Sequence, residues 1–172
     1  MKRLSTAGAD AEEVMVLRTR PITHSHINRA GLPAGSLVPN FSGSTLEDTV
    51  LTSAAFTGSA FLLVFSDPQC GPCNLLLPRL TTLAKRAPAV KVLLVSRGDL
   101  SLNRMKFRDL PASFCVVLQT RSEISAAFQL FLTPSAFLIN DNGVVASEAA
   151  VGVDSVLNLF RAAGIKTLLL EA

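Results

Sequence analysis

The sequence predicts an α/β fold, a three-layer sandwich around a mixed central sheet, and three observations predict it. Short apolar runs at 60–66 and 90–95 have the length and composition of strands buried on both faces. Between them lie stretches with apolar residues at helical spacing, so the early strands are joined by right-handed parallel crossovers. Near the end, Asp141-Asn142-Gly143 is a hairpin turn that adds an antiparallel pair.

Taken in order, residues 1 to about 40 read as an N-terminal extension and lead-in, with turn signals at Gly31-Leu32-Pro33 and Gly35-Ser36. Within them 12–20 is a short helix or strand. Residues 41–172 read as the folded domain. Its first strand, 60–66, is broken by Asp67-Pro68-Gln69, after which a helix runs from Cys70 to about Arg86. Leu75, Leu76, Leu80 and Leu83 form its apolar stripe, and Lys85-Arg86 suits its C-terminus. Strands at 90–95, 114–118 and 135–140 alternate with helices at 101–108 and 123–130. A fifth strand at 144–150 pairs antiparallel with the fourth. A final helix, capped by Asp154 or Ser155, ends near Gly164.

Composition removes several functional classes. The 172 residues are 49% hydrophobic and 17% charged, with a net charge of +3. Sixteen Lys and Arg are scattered without a basic run, which argues against nucleic acid. No apolar run approaches the ~20 residues of a membrane span. Met1-Lys2-Arg3 resembles the start of a signal peptide, but Ala11-Glu12-Glu13 interrupts the place where its apolar stretch belongs. The expected location is therefore cytoplasmic if the chain is complete, and periplasmic or membrane-tethered if an N-terminal anchor was removed.

Three cysteines are too few for a disulfide-stapled scaffold, and they divide into one Cys-x-x-Cys pair and a lone Cys115. Zinc would need two further ligands, and the only histidines, His24 and His26, lie far away in the tail, most simply in solvent. The expectation is no metal. The redox reading fits better. Thiol–disulfide exchange needs an attacking thiolate and a second thiol close enough to release the mixed disulfide. Cys70 is expected at a helix start, where free N–H groups and the helix dipole lower a thiol pKa. Cys73, within the first turn and more buried, is then the resolving thiol. Pro72 is tolerated there because first-turn N–H groups have no helical partner. Cys115, in Phe114-Cys115-Val116-Val117, reads as a small core hydrophobe. Arg104, Lys106 and Arg108 read as a solvated helix face, and Asp67-Pro68 as turn chemistry.

The run from Phe61 through Cys70-Gly71-Pro72-Cys73, followed by Pro78, resembles the active-site strand and helix of the thioredoxin superfamily. More narrowly it is similar to its TlpA/ResA-like and MauD-like branch. Pro78 lies where such proteins kink this helix, since proline removes the bond to the Asn74 carbonyl. The segment 128–139 resembles the one that carries the family's cis-proline, and Gly35 to Phe41 resembles the Gly-x-x-x-Pro-x-Phe lead-in. The resemblance covers 31–165 and implies a thioredoxin-like fold. It also implies a cis Thr133-Pro134 bond, whose backbone takes a substrate peptide as an added strand beside Gly71 and Pro72.

Two departures stand out. Gln69 replaces the Trp that usually precedes the first cysteine, and Val64 stands where thioredoxin buries an acid beneath the pair.

The function expected is that of a thiol–disulfide oxidoreductase, with Cys70 and Cys73 catalytic and Thr133, Pro134, Gly71 and Pro72 against the substrate. It needs no cofactor. Its partners would be a disulfide-bearing client protein and a second redox protein that regenerates the dithiol, with the chain itself a monomer. Gly71-Pro72 is the dipeptide of reducing thioredoxins and tilts the reading toward a reductase. The alternative is a MauD-like maturation or client-binding factor with weak turnover on generic disulfides. A peroxiredoxin-type peroxidase needs Thr or Ser three residues before the attacking cysteine and Pro seven before. Those positions hold Asp67 and Leu63.

Overall fold

The computed structural model describes residues 31–170, with side chains described as far as Gly164. The readings for 1–30, including 12–20, His24 and His26, lie outside the described residues. The chain forms β1 (Ser42–Thr45), β2 (Val50–Thr52), β3 (Phe61–Ser66), α1 (Gly71–Arg86), β4 (Lys91–Arg97) and α2 (Leu100–Phe107). There follow β5 (Phe114–Gln119), α3 (Glu123–Ala127), β6 (Ser135–Ile139), β7 (Ala150–Val151) and α4 (Val153–Leu170). One seven-stranded sheet has the order β2-β1-β5-β4-β3-β6-β7. The pairs β3–β4 and β4–β5 are parallel, and the flanking pairs are antiparallel. The mixed sheet expected from the sequence is therefore present.

β3 lies inside the sheet because every residue from Phe61 to Ser66 can be buried. Its pleat sends Leu62 and Val64 to one face and Phe61, Leu63 and Phe65 to the other. On the first face they pack with Leu76 and Leu80 of α1, Phe107 of α2, and Val156 and Phe160 of α4. On the second they meet Ile124 of α3 together with Phe41 and Phe128. Three layers result. Phe128 is the centre of the second face, with ring centroids 5.6 Å from Phe65, 5.8 Å from Phe137 and 6.2 Å from Phe41.

Four local expectations are corrected. The first strand is β1 at Ser42–Thr45, ahead of 60–66, and it pairs with β2 as a hairpin. It forms because Gly43 lets β1 approach β5: a Cβ there would collide with the Leu118 carbonyl and the Val117 side chain. The Thr45 hydroxyl then closes the hairpin turn by accepting the N–H groups of Glu47 and Thr49.

The strand expected at 144–150 is not continuous. Val145 bridges Ile139, the Ser147 hydroxyl then accepts the Leu138 N–H, and pairing resumes only at Ala150.

The third helix stops at Ala127 rather than 130, since Gln129 turns to φ 54° and sends Phe128 and Leu130 into the core. The last helix begins at Val153 behind Gly152, whose carbonyl accepts the Val156 N–H. It runs past Gly164, and Asp154 stands in its first turn against Arg79.

Candidate functional site

β3 and β4 run parallel with Ser66 beside Ser96, so the chain leaves both strands at the same edge of the sheet. Asp67 follows β3, and Arg97 is the last residue of β4. Asp67 Oδ1 accepts the Gln69 N–H at 2.8 Å, the side-chain turn expected of Asp before Pro68. Its carbonyl accepts the Cys70 N–H at 3.2 Å. The chain then enters α1, with Cys70 as the N-cap and Pro72 in the first turn, where no N–H is missed.

This places the two sulfurs as the spacing implied. Cys70 is half-buried at the helix mouth, and Cys73 is 1% exposed behind it. They are joined as a disulfide, with Cα atoms 5.2 Å apart. The Cys70 sulfur accepts the Cys73 N–H at 3.2 Å, a bond that favours the thiolate once the pair is reduced. Gly71 and Pro72 are exposed over the pair.

Thr133 and Pro134 come from a distant part of the sequence and arrive at the same place. The Thr133-Pro134 bond is cis, and the Thr133 carbonyl oxygen lies 3.6 Å from the Cys70 sulfur. The next residue, Ser135, pairs with Phe65 on β3, which carries the 131–134 turn to the end of the active-site strand. Phe131 and Leu132 are 54% and 49% exposed beside Thr133, and Leu75 is 65% exposed on α1. An extended polypeptide reaching Cys70 would meet backbone at Thr133 and apolar side chains around it.

Electrostatics come from groups the sequence reading did not assign to the site. Arg97 donates Nε and Nη2 to Asp67 Oδ2 at 2.9 and 2.7 Å. Lys106, from α2, donates its ammonium to the Asp67 carbonyl at 3.0 Å. Burial pushes the Asp67 carboxyl up, but the bonds from Gln69 and Arg97 and the charges of Arg97 and Lys106 outweigh it. The net effect holds it below its ordinary value of 3.8. Burial lowers the Lys106 pKa, and Asp67 opposes that shift.

The reading of Arg104, Lys106 and Arg108 as one solvated face is thus corrected. Arg108 is exposed beside Asp109, Arg104 bonds the Leu46 carbonyl, and Lys106 is half-buried behind the active-site loop. The signal was present, because residues two apart on a helix point in nearly opposite directions.

Cys115 is a free, half-buried thiol whose pKa is raised by burial and further by Glu47, as suits a packing residue. Val64 is fully buried on the α1 face of the sheet. Among the described residues there is no group of three or more His, Cys, Asp or Glu that could hold a metal ion. No described helix is long and apolar enough to cross a membrane.

Comparison with known proteins agrees with this geometry. The thiol–disulfide oxidoreductase ResA of Geobacillus thermodenitrificans is 28% identical over 120 residues, covering 68% of this chain and 69% of that protein. ResA of Geobacillus kaustophilus is 25% identical over 126 residues, covering 72% of each. Two solved structures share the fold. The thioredoxin domain of a thiol-disulfide oxidoreductase from Bacteroides vulgatus superposes with a TM-score of 0.65 at 18% identity, covering 76% of this chain and 97% of its own. StoA from Bacillus subtilis superposes with a TM-score of 0.59 at 21% identity, covering 75% and 98%. The sequence pattern of the AhpC/TSA family matches residues 34–148, which span the lead-in, both cysteines and the cis-proline, and the chain belongs to that family.

Proposed function

We propose that the protein is a thiol–disulfide oxidoreductase that acts as a disulfide reductase on a partner protein. The observation that carries this is the Cys70 sulfur, accessible at the α1 N-cap, bonded to the Cys73 N–H and facing the Thr133 carbonyl. The names of the ResA relatives support the oxidoreductase reading, and Gly71-Pro72 supports the reducing direction. Thr133 and Pro134, with Gly71 and Pro72, form the surface that receives the client.

The reaction runs in two exchanges. The Cys70 thiolate attacks one sulfur of the client disulfide, forming a Cys70–client bond and releasing a client thiolate, which takes up a proton. Cys73, losing its proton, then attacks the Cys70 sulfur. The Cys70–Cys73 disulfide closes and the second client thiol leaves. Two electrons pass from the dithiol to the client, with one proton from Cys73 and one from water in place of the proton that Cys70 gave up on ionising, and a second redox protein must return the electrons.

Reduction of insulin with dithiothreitol as the electron source tests this directly. The parent protein accelerates precipitation of the insulin chains, Cys70→Ser abolishes the effect, and Cys73→Ser accumulates a mixed disulfide. A parent protein with no activity refutes the reading. A reduction potential near that of thioredoxin (~−270 mV) fits a reductase, and one near ~−120 mV would make the protein an oxidant.

A further inference from the structure

We propose that Lys106 is a positioning residue for Cys70. It fastens the loop before the cysteine and supplies the positive charge that favours the Cys70 thiolate. The inference rests on the dithiol reading above and deepens it.

One oxygen joins the two residues. The Asp67 carbonyl accepts the Cys70 N–H at 3.2 Å and the Lys106 ammonium at 3.0 Å. The ammonium is therefore no further from the Cys70 nitrogen than those two lengths end to end. It is half-buried, so water screens it less than an ordinary surface lysine.

The charged groups that reach the loop before Cys70 can be added. The loop contributes Asp67, β4 contributes Arg97, and α2 contributes Lys106. The 131–134 turn contributes Phe131, Leu132, Thr133 and Pro134, none of which titrates. Asp67 and Arg97 neutralise each other through a forked ion pair. The Asp67 carboxylate acts on both cations, so the three groups sum to one net positive charge, which Lys106 carries to the loop backbone. A cation beside a thiol lowers its pKa because it stabilises only the thiolate. Two hydrogen-bond lengths from the Cys70 nitrogen, in a partly wetted site, a unit charge is worth about one pKa unit.

The test compares the reduced parent with Lys106→Met and Lys106→Arg, all carrying Cys115→Ser so that only the active-site pair reacts. The readout is the rate of alkylation by iodoacetamide against pH, which gives the pKa of Cys70. Lys106→Met keeps the alkyl stem and should raise that pKa by about one unit, slowing alkylation at about pH 6 about tenfold. Lys106→Arg should stay near the parent. A Lys106→Met protein that melts cooperatively yet keeps the parent pKa overturns the proposal, since a purely structural bridge would lower stability alone.

Should Lys106→Met fail to fold, Asp67→Asn serves instead. It leaves Arg97 as a second uncompensated cation and must lower the Cys70 pKa; an unchanged or raised value overturns the proposal. Insulin reduction by the parent, run alongside, separates the two claims. An active parent whose pKa ignores Lys106 refutes this inference alone. An inactive parent refutes the reductase reading, while the pKa comparison still decides the role of the charge.

Discussion

Replacing Asp67 by asparagine should cost about 1 kcal/mol of stability at neutral pH, and replacing it by alanine about 2 kcal/mol. The carboxylate uses Oδ2 for both Arg97 donors and Oδ1 for the Gln69 N–H. Asparagine retains an acceptor for Gln69 and loses the charge that holds Arg97, whereas alanine loses both. The Arg97 side chain is 55% exposed and regains water on release, so the ion-pair share belongs within the ~0.2–1 kcal/mol of surface pairs. The Asp67 side chain is only 13% exposed, which puts that share at the upper end. The Gln69 bond adds about 1 kcal/mol when its acceptor is removed.

The pH dependence has a definite sign. The folded carboxyl lies below its ordinary 3.8, so its stabilisation is fully present above that value and is lost as pH falls through the folded value. Parent and Asp67→Asn should therefore differ by a constant amount from about pH 7 to 5 and converge below about pH 4. Urea unfolding of the oxidised proteins measures this, with about 1 kcal/mol appearing as a midpoint shift of about 0.5 M. A gap that persists unchanged to about pH 3, or alanine no worse than asparagine, would refute the reasoning.

Two further outcomes follow from packing and burial. Phe128→Ala empties the aromatic centre beneath the 131–134 turn, and a fully buried ring with three aromatic neighbours should cost about 3–5 kcal/mol in urea unfolding. Cys115, with its pKa raised, should react with iodoacetamide much more slowly than reduced Cys70 at about pH 7. Cys115→Ser should leave insulin reduction unchanged.

The parts of the fold legible in the sequence are those whose cause is local. β3 announces itself because its residues are apolar on both pleat faces, and α1 because the cysteine pair, Pro72 and an apolar stripe agree on one start. Pro78 and Thr133-Pro134 were legible through resemblance rather than through physics. What escaped depends on partners distant in the chain. β1 is polar and carries a glycine, and only the close approach of β5 makes that glycine an asset. Nothing in 144–150 says that the Ser147 hydroxyl will replace a backbone acceptor and interrupt the strand. Lys106 is one cation among three at alternating positions, and its distinction is a carbonyl 39 residues earlier.

The register of the parallel strands explains why charge gathers where it does. Ser66 ends β3 beside Ser96, and Arg97 ends β4 one residue later, so Asp67 and Arg97 come to the same edge of the sheet. α2 begins just beyond, capped by Asp99, and two turns later returns Lys106 to the same loop. The charged groups thus gather at the loop that leads into Cys70. Val64, where the resemblance puts thioredoxin's buried acid, packs with Leu62, Leu76 and Leu94 on a strand that holds no acid. This divides the two exchanges physically. Charge at the approach favours the thiolate that attacks first, and does nothing for Cys73, whose buried thiol must still lose a proton. On the proposed reaction that proton goes to water or to the client thiolate expelled from Cys70, which gains one as it leaves. In that scheme, charge at the loop acts on the first exchange, whereas the second also depends on the client's own leaving sulfur.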